Sequence, residues 1–198
     1  MKKVLYLVGI IVISYLFSSC GSSKPAVAQQ QNTMPFGDAY EAPCTIYDTP
    51  EEFAATGIYK GSMNQKGEVQ KFALANAQQQ VRMKMQHAYK GMVSDFAQTI
   101  GNNKGNDIEA KMNAAGDQMI DVVVNNTSAC CIKWSQVDAQ GMIECYCAIK
   151  IPKVDLSKKV AQAVSNVLTE DEKLKIQFDE QKYREQMEER FSKFKEGN

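Results

Sequence analysis

The apolar residues of this chain follow several distinct rhythms, and each rhythm implies a different element. Val4 to Phe17 is a nearly unbroken apolar run, interrupted by Gly9 and Ser14, behind Met1-Lys2-Lys3. Such a run is too short for a permanent membrane-spanning helix, which needs about 20 residues, and its basic head marks the hydrophobic region of a signal peptide. From Glu68 the rhythm becomes helical: Val69, Phe72 or Ala73, Ala77, Val81, Met85, Ala88 or Tyr89, Met92, Phe96 and Ile100 recur at three- and four-residue steps. That spacing holds one stripe on one face of a long helix, which Gly101-Asn102-Asn103 is expected to end. Asn106 or Asp107 then caps a second helix carrying Ile108, Met112, Ala115, Met119 and Ile120. The β-branched run Val122-Val123-Val124 is expected to leave that helix as extended chain.

Between residues 129 and 151 the period falls to two. ACCIKWSQV and MIECYCAIKI flank DAQG, a β-hairpin pattern with Asp138 and Gly141 supplying the turn. The loop length places Trp134 opposite Cys145 and Ile132 opposite Cys147. One face then carries Cys130, Ile132, Trp134, Ile143, Cys145, Cys147 and Ile149; the other carries Cys131, Lys133, Ser135, Glu144, Tyr146 and Lys150. A sheet buried on one side needs this separation, and the long helix is the expected cover.

Residues 34 to 55, with Pro35, Gly37, Pro43 and Pro50, read as an extended lead-in, with one helical turn at Glu51 to Ala55. Thr56 to Met63 reads as a first strand. After Pro152, Asp155 is placed to cap a helix bearing Leu156, Val160, Val164 and Val167, and Thr169-Glu170-Asp171-Glu172 has the form of a capping box. Beyond it the chain is dense in charge, with a narrow stripe of Ile176, Tyr183, Met187, Phe191 and Phe194. The expected fold class is α+β: a short strand, a long helix, a second helix, an antiparallel β-hairpin packed on the long helix, and a charged C-terminal helix that projects or docks loosely. The domain boundaries are a signal peptide at 1–19, a tether at 20–33, a lead-in at 34–55, an α+β domain at 56–152 and the C-terminal helix at 153–198.

Composition narrows the chemistry. The 198 residues suit one domain with extras, and 23 basic against 23 acidic side chains argue against a nucleic-acid partner. The single histidine, His87, has no neighbouring acid or serine motif and reads as a surface or boundary residue. There is no GxxxxGK[ST] or GxGxxG phosphate-binding sequence. Asp48, Glu51 and Glu52 read as an exposed turn, and Met83, Met85, Met92, Met112 and Met119 as core. No catalytic residue, cofactor or metal is assigned, and no enzymatic activity is expected.

The cysteines say more. Ser18-Ser19-Cys20-Gly21 at the end of the apolar run resembles the bacterial lipobox, with Phe17 where that motif prefers leucine. The resemblance implies cleavage before Cys20 and its acylation, palmitate included, which gives a stable membrane anchor at about 0.8 kcal/mol per buried methylene. Gly21 to Thr33, GSSKPAVAQQQNT, is a flexible spacer by composition. By the same resemblance, Gly21 after the cysteine implies the outer membrane. The first later acidic residue is Asp38, which leaves out a surface-export tag and implies a periplasm-facing position. Five thiols remain in the mature chain, an odd number, so at least one is unpaired within a monomer. Cys130, Cys145 and Cys147 read as small core hydrophobes, and the CC and CxC spacings do not suit zinc knuckles.

The order of a strand at GIYKG, an alanine-rich helix at FALANAQQQVRMKM with Ala73, Ala75 and Ala77, and a late hairpin with Trp134 and Tyr146 resembles the Lpp-twenty lipoprotein family over about residues 56 to 152. The resemblance implies a small bacterial envelope lipoprotein with a strand-helix-strand-strand core and no catalytic residues. The expectation is therefore a lipid-anchored envelope component with a structural or protein-interaction role, meeting an envelope partner through Tyr183, Met187, Phe191 and Phe194, with a homo-oligomer left open. The second reading is a periplasmic module that holds a small apolar ligand between the long helix and the sheet.

Overall fold

The computed structural model describes residues 41–100 and 103–194, without side chains at 97–100 and 103–105. Strand β1, Glu52–Ser62, pairs antiparallel with β3, Met142–Pro152, and β3 pairs antiparallel with the short β2, Cys131–Trp134, so the sheet order is β1-β3-β2. The hairpin register is the one its loop length dictates, with Trp134 opposite Cys145 and Ile132 opposite Cys147. Asp138 builds the turn: its Oδ1 accepts from the Gln140 and Met142 amides at 3.0 and 2.8 Å, and its carbonyl accepts from Gly141 at 2.9 Å. Gly141 sits at φ 76°, where a side chain would be strained.

Helix α1, Lys66–Ile100, crosses one face of the sheet. The approach is close because Gly57 has no side chain: a Cβ there would overlap Ala73 O and Ala77 N of the helix backbone. Of the two options at each ambiguous step, Ala73 is buried while Phe72 stays exposed, and Ala88 and Tyr89 are both buried. Helix α2, Asn103–Asn125, packs on α1, and α3, Lys153–Val167, packs on α2. The short α4, Glu170–Ile176, leads to α5, Glu180–Lys193, which lies against α3 and α1. The arrangement is mixed α+β, with a three-stranded antiparallel sheet covered by helices on one face.

Several expectations are corrected. Glu51 to Ala55 form no helical turn, since β1 begins at Glu52, with Phe53 and Ala55 buried in the core. The alternation of Phe53 and Ala55 continues the strand period, and the Lys153 amide donates to Glu51 O at 2.8 Å. The valine run stays helical to Asn125 because it packs on the core, where Val124 is fully buried. Burying such a side chain outweighs a β-branched preference of a few tenths of a kcal/mol. Helix α3 starts directly after Pro152, so Asp155 lies in its first turn, where it suits the helix dipole, and does not cap it. The capping box is present: Thr169 Oγ1 accepts from the Glu172 amide at 3.2 Å and Glu172 Oε2 accepts from the Thr169 amide at 2.9 Å.

The region 153–198 is not one projecting helix beside a domain ending at 152. Its described part forms three helices, and the chain from Glu41 onward clusters as one compact unit.

Candidate functional site

Cys20, the signal peptide, the tether and the first part of the lead-in lie outside the described residues. What is described is where the chain enters the fold. Residues 41–51 contain few bulky apolar side chains, yet polar and covalent contacts fix them. The row Thr56, Ala148 and Cys131 runs across the three strands on the face away from α1. Cys44 is disulfide-bonded to Cys131 at one end of this row, with a Cα separation of 5.8 Å. At the other end Thr56 Oγ1 donates to Cys44 O at 2.7 Å and accepts from the Ile46 amide at 3.3 Å.

A second fastening lies a few residues on. Asp48 Oδ1 accepts from the Ala54 amide at 2.7 Å, and Asp48 Oδ2 is 3.2 Å from Lys84 Nζ, both side chains being largely buried. Lys84 Nζ also donates to Ala54 O at 2.9 Å. Lys153, only 2% exposed, places its Nζ over the Phe53 ring and donates to Thr49 O at 2.6 Å. Burial pushes the Lys153 amine below its ordinary pKa, against the opposing pull of Asp48 and Glu51. The expected exposed acidic turn is thus corrected at Asp48, while Glu51 is exposed and Glu52 pairs with Lys150 at 2.9 Å.

The same stretch of α1 closes the free edge of β1. Asn76, Gln80 and Lys84, four residues apart, donate to the carbonyls of Ile58, Thr56 and Ala54 at 2.9, 3.2 and 2.9 Å. An unpaired strand edge is a template for foreign strands, and these side chains occupy its acceptors.

The apolar stripe of the last helix has a different fate from the one its sequence suggests. Tyr183, Met187 and Phe191 are buried in this chain's own core. Phe191 meets Phe53 edge-on at 5.2 Å between centroids, and half-buried Phe194 meets Phe53 at 5.7 Å and His87 at 6.1 Å. Tyr183 OH donates to Tyr89 OH at 3.3 Å, which in turn donates to Met112 O at 2.7 Å. The stripe expected to receive a partner is therefore occupied by α1, α3 and β1. His87 is an exposed boundary residue, and among the methionines Met85, Met92 and Met112 are core while Met83 is exposed.

The cysteines divide. Cys145 and Cys147 are buried beneath the start of α1 with Val69, Ala73 and Ile143, their sulfurs 3.7 Å apart. Burial raises both thiols, that of Cys145 to about 12. Cys130 is exposed, correcting its assignment to the buried face. Its amide and its thiol both reach Ala148 O, at 2.8 and 3.3 Å, so the strand bulges where Cys131 already pairs with Ala148. Ile132 is likewise 39% exposed, because α1 covers β3 and β1 but not the β2 edge. Among the described residues no group of three or more His, Cys, Asp or Glu side chains could hold a metal ion.

The second reading, an apolar ligand between the long helix and the sheet, finds that interface closed at Gly57, where the two backbones touch, and at Gly61, which lies against Val69. The lead-in fastening was not visible in the sequence. Its single signal was Cys44, an isolated thiol just ahead of a strand. No family model, no curated protein and no solved structure matches this chain.

Proposed function

We propose that this protein is a lipid-anchored cell-envelope lipoprotein, held at the outer membrane by acylated Cys20 and facing the periplasm, with a non-enzymatic structural or protein-interaction role. The observation that carries the reading is the double fastening of residues 44 to 49. The chain that would arrive from Cys20 and its spacer meets a disulfide to the central hairpin, then a buried ion pair to α1 and a buried lysine from α3. Tension on a tether would pass into the sheet through a covalent bond and would not peel β1 from its edge. A disulfide between two such separated positions also suits an oxidising compartment outside the cytoplasm. The resemblance to the Lpp-twenty lipoproteins, carried by the residues quoted above, points the same way. A partner would meet surfaces other than the buried stripe of α5.

Metabolic labelling with a clickable palmitate analogue, followed by membrane fractionation, tests the anchor. The wild-type chain should carry label and require detergent for release, and Cys20→Ser should lose both properties. An unlabelled wild-type chain, or a Cys20→Ser chain retained in the membrane, overturns the reading.

A further inference from the structure

Two thiols remain on the inner face of β3 that neither the fold's stapling nor the proposed anchoring uses. Cys145 and Cys147 are alternate residues of one strand, so both project beneath α1. Their sulfurs lie 3.7 Å apart and unbonded, in a chain whose Cys44 and Cys131 are oxidised. The wall around them is Val69, Ala73, Ile143 and half-buried Leu74 and Trp134, with the Gln70 carbonyl 3.9 Å from Cys147 Sγ. A cation stands at the rim: Lys66 lies over the Trp134 ring at 4.7 Å, and its charge opposes, as the smallest influence, the burial that raises the Cys145 thiol.

We propose that Cys145 and Cys147 form a two-coordinate site for a soft monovalent cation of the copper(I) and silver(I) class, with Lys66 as its counter-charge. Thiolates are the ligands that select such ions, whereas zinc in a structural site asks for four ligands in a tetrahedron. Here no third His, Cys, Asp or Glu joins the pair among the described residues, and the apolar wall keeps water from completing a larger shell. A two-coordinate ion needs only the two sulfurs.

The step balances without an oxidant. Two S–H bonds break, two sulfur–metal bonds form, two protons leave to solvent, and neither the metal nor the sulfur changes oxidation state. The bound unit, two thiolates and one monovalent cation, carries a net charge of −1. Burying that charge alone would be costly, and the ammonium of Lys66 offsets it at the rim. Entry is through the same place. The β2 ladder is four residues long, and Lys66 and Trp134 form a cover that can lift while the eleven-residue β1–β3 ladder stays closed.

The test uses the full chain in detergent with its disulfide intact, titrated anaerobically with copper(I) in competition with a chromophoric copper(I) chelator, and with silver(I) in parallel as a redox-inert probe. The expected result is one ion per chain, two protons released per ion in weak buffer, and two sulfur neighbours by X-ray absorption. Cys147→Ala and Cys147→Ser should each abolish uptake, and Cys130→Ser should leave it unchanged. Lys66→Gln should weaken affinity by about 10-fold or more, the usual range for an outer-shell partner. Uptake that survives both Cys147 variants, uptake lost in Cys130→Ser, more than two sulfur neighbours, or no uptake against the chelator overturns the proposal. The sulfur count is read on the wild-type chain, so the site stays testable if a Cys147 variant does not fold.

Discussion

The lead-in at residues 41–51 and the last helix at 180–193 are both peripheral in sequence and both fixed to the same body, but by opposite means. Helix α5 is dense in charge, yet three side chains, Tyr183, Met187 and Phe191, carry it into the core. The lead-in has no comparable stripe and is held by one disulfide, one largely buried ion pair and a buried lysine. They meet at Phe53, whose ring touches Phe191 and Phe194 and lies under the Lys153 ammonium. Apolar area is non-directional and holds an element wherever a complementary surface exists, whereas a disulfide or an ion pair holds only at its own geometry. An element poor in apolar residues can still be fixed when its few polar groups are each matched.

The largest expected effect is on the apolar side. Phe191→Ala should cost about 3–5 kcal/mol of stability, the range for emptying a buried aromatic site, read from urea unfolding. A loss of under about 1 kcal/mol would mean that α5 is not held by its stripe. Opening the staple with Cys44→Ser and Cys131→Ser together should cost about 2–4 kcal/mol, since the bond closes a separation of 87 residues. Hydrogen exchange should then rise first at residues 41–51 while α5 keeps its protection. Asp48→Ala should cost about 1.5–3 kcal/mol, because it removes the charged acceptor of the Ala54 amide and a carboxylate beside Lys84.

Alkaline pH should separate the two fastenings by sign. Burial foremost holds the Tyr89 and Tyr183 hydroxyls far above the ordinary tyrosine pKa. The unfolded chain therefore loses these protons first, and the stability they carry, complete below about pH 10, drains away above it by up to about 1.4 kcal/mol per pH unit for each group. Lys153 runs the other way. Its pKa is lowered by burial, so the cost of its buried charge is greatest near neutrality and fades as pH rises toward the ordinary lysine value. Between about pH 10 and 12 exchange should accelerate over α5 before it does over the lead-in, and the reverse order would break the contrast. The smallest effect is at the start of α4, where Thr169→Ala removes the capping box and should cost about 1 kcal/mol by thermal unfolding.

Much of the fold was legible because the signals that specify it are local. Strand alternation with a short loop fixes the partners of Ile132 and Trp134, three- and four-residue steps mark the buried face of α1, and Thr169 with Glu172 announces a helix start. The failures also share a cause. Local preference favours extended chain at Val122 to Val124 and a helical turn at Glu51 to Ala55, and packing on the core overrides it. Perfect alternation would bury Cys130, and a bulge at Ala148 turns it outward.

The sequence by itself determined the long helix with its buried stripe, the helix start at Thr169 and how the hairpin pairs, because these depend on neighbours a few residues away. Only the tertiary structure decided what those buried faces meet. The stripe of Tyr183, Met187 and Phe191 announced that it would be covered without naming its cover, and Cys44, Asp48, Lys84 and Lys153 gave no hint that they converge. Their pairing depends on positions in space that are set only once the sheet and its helices have packed.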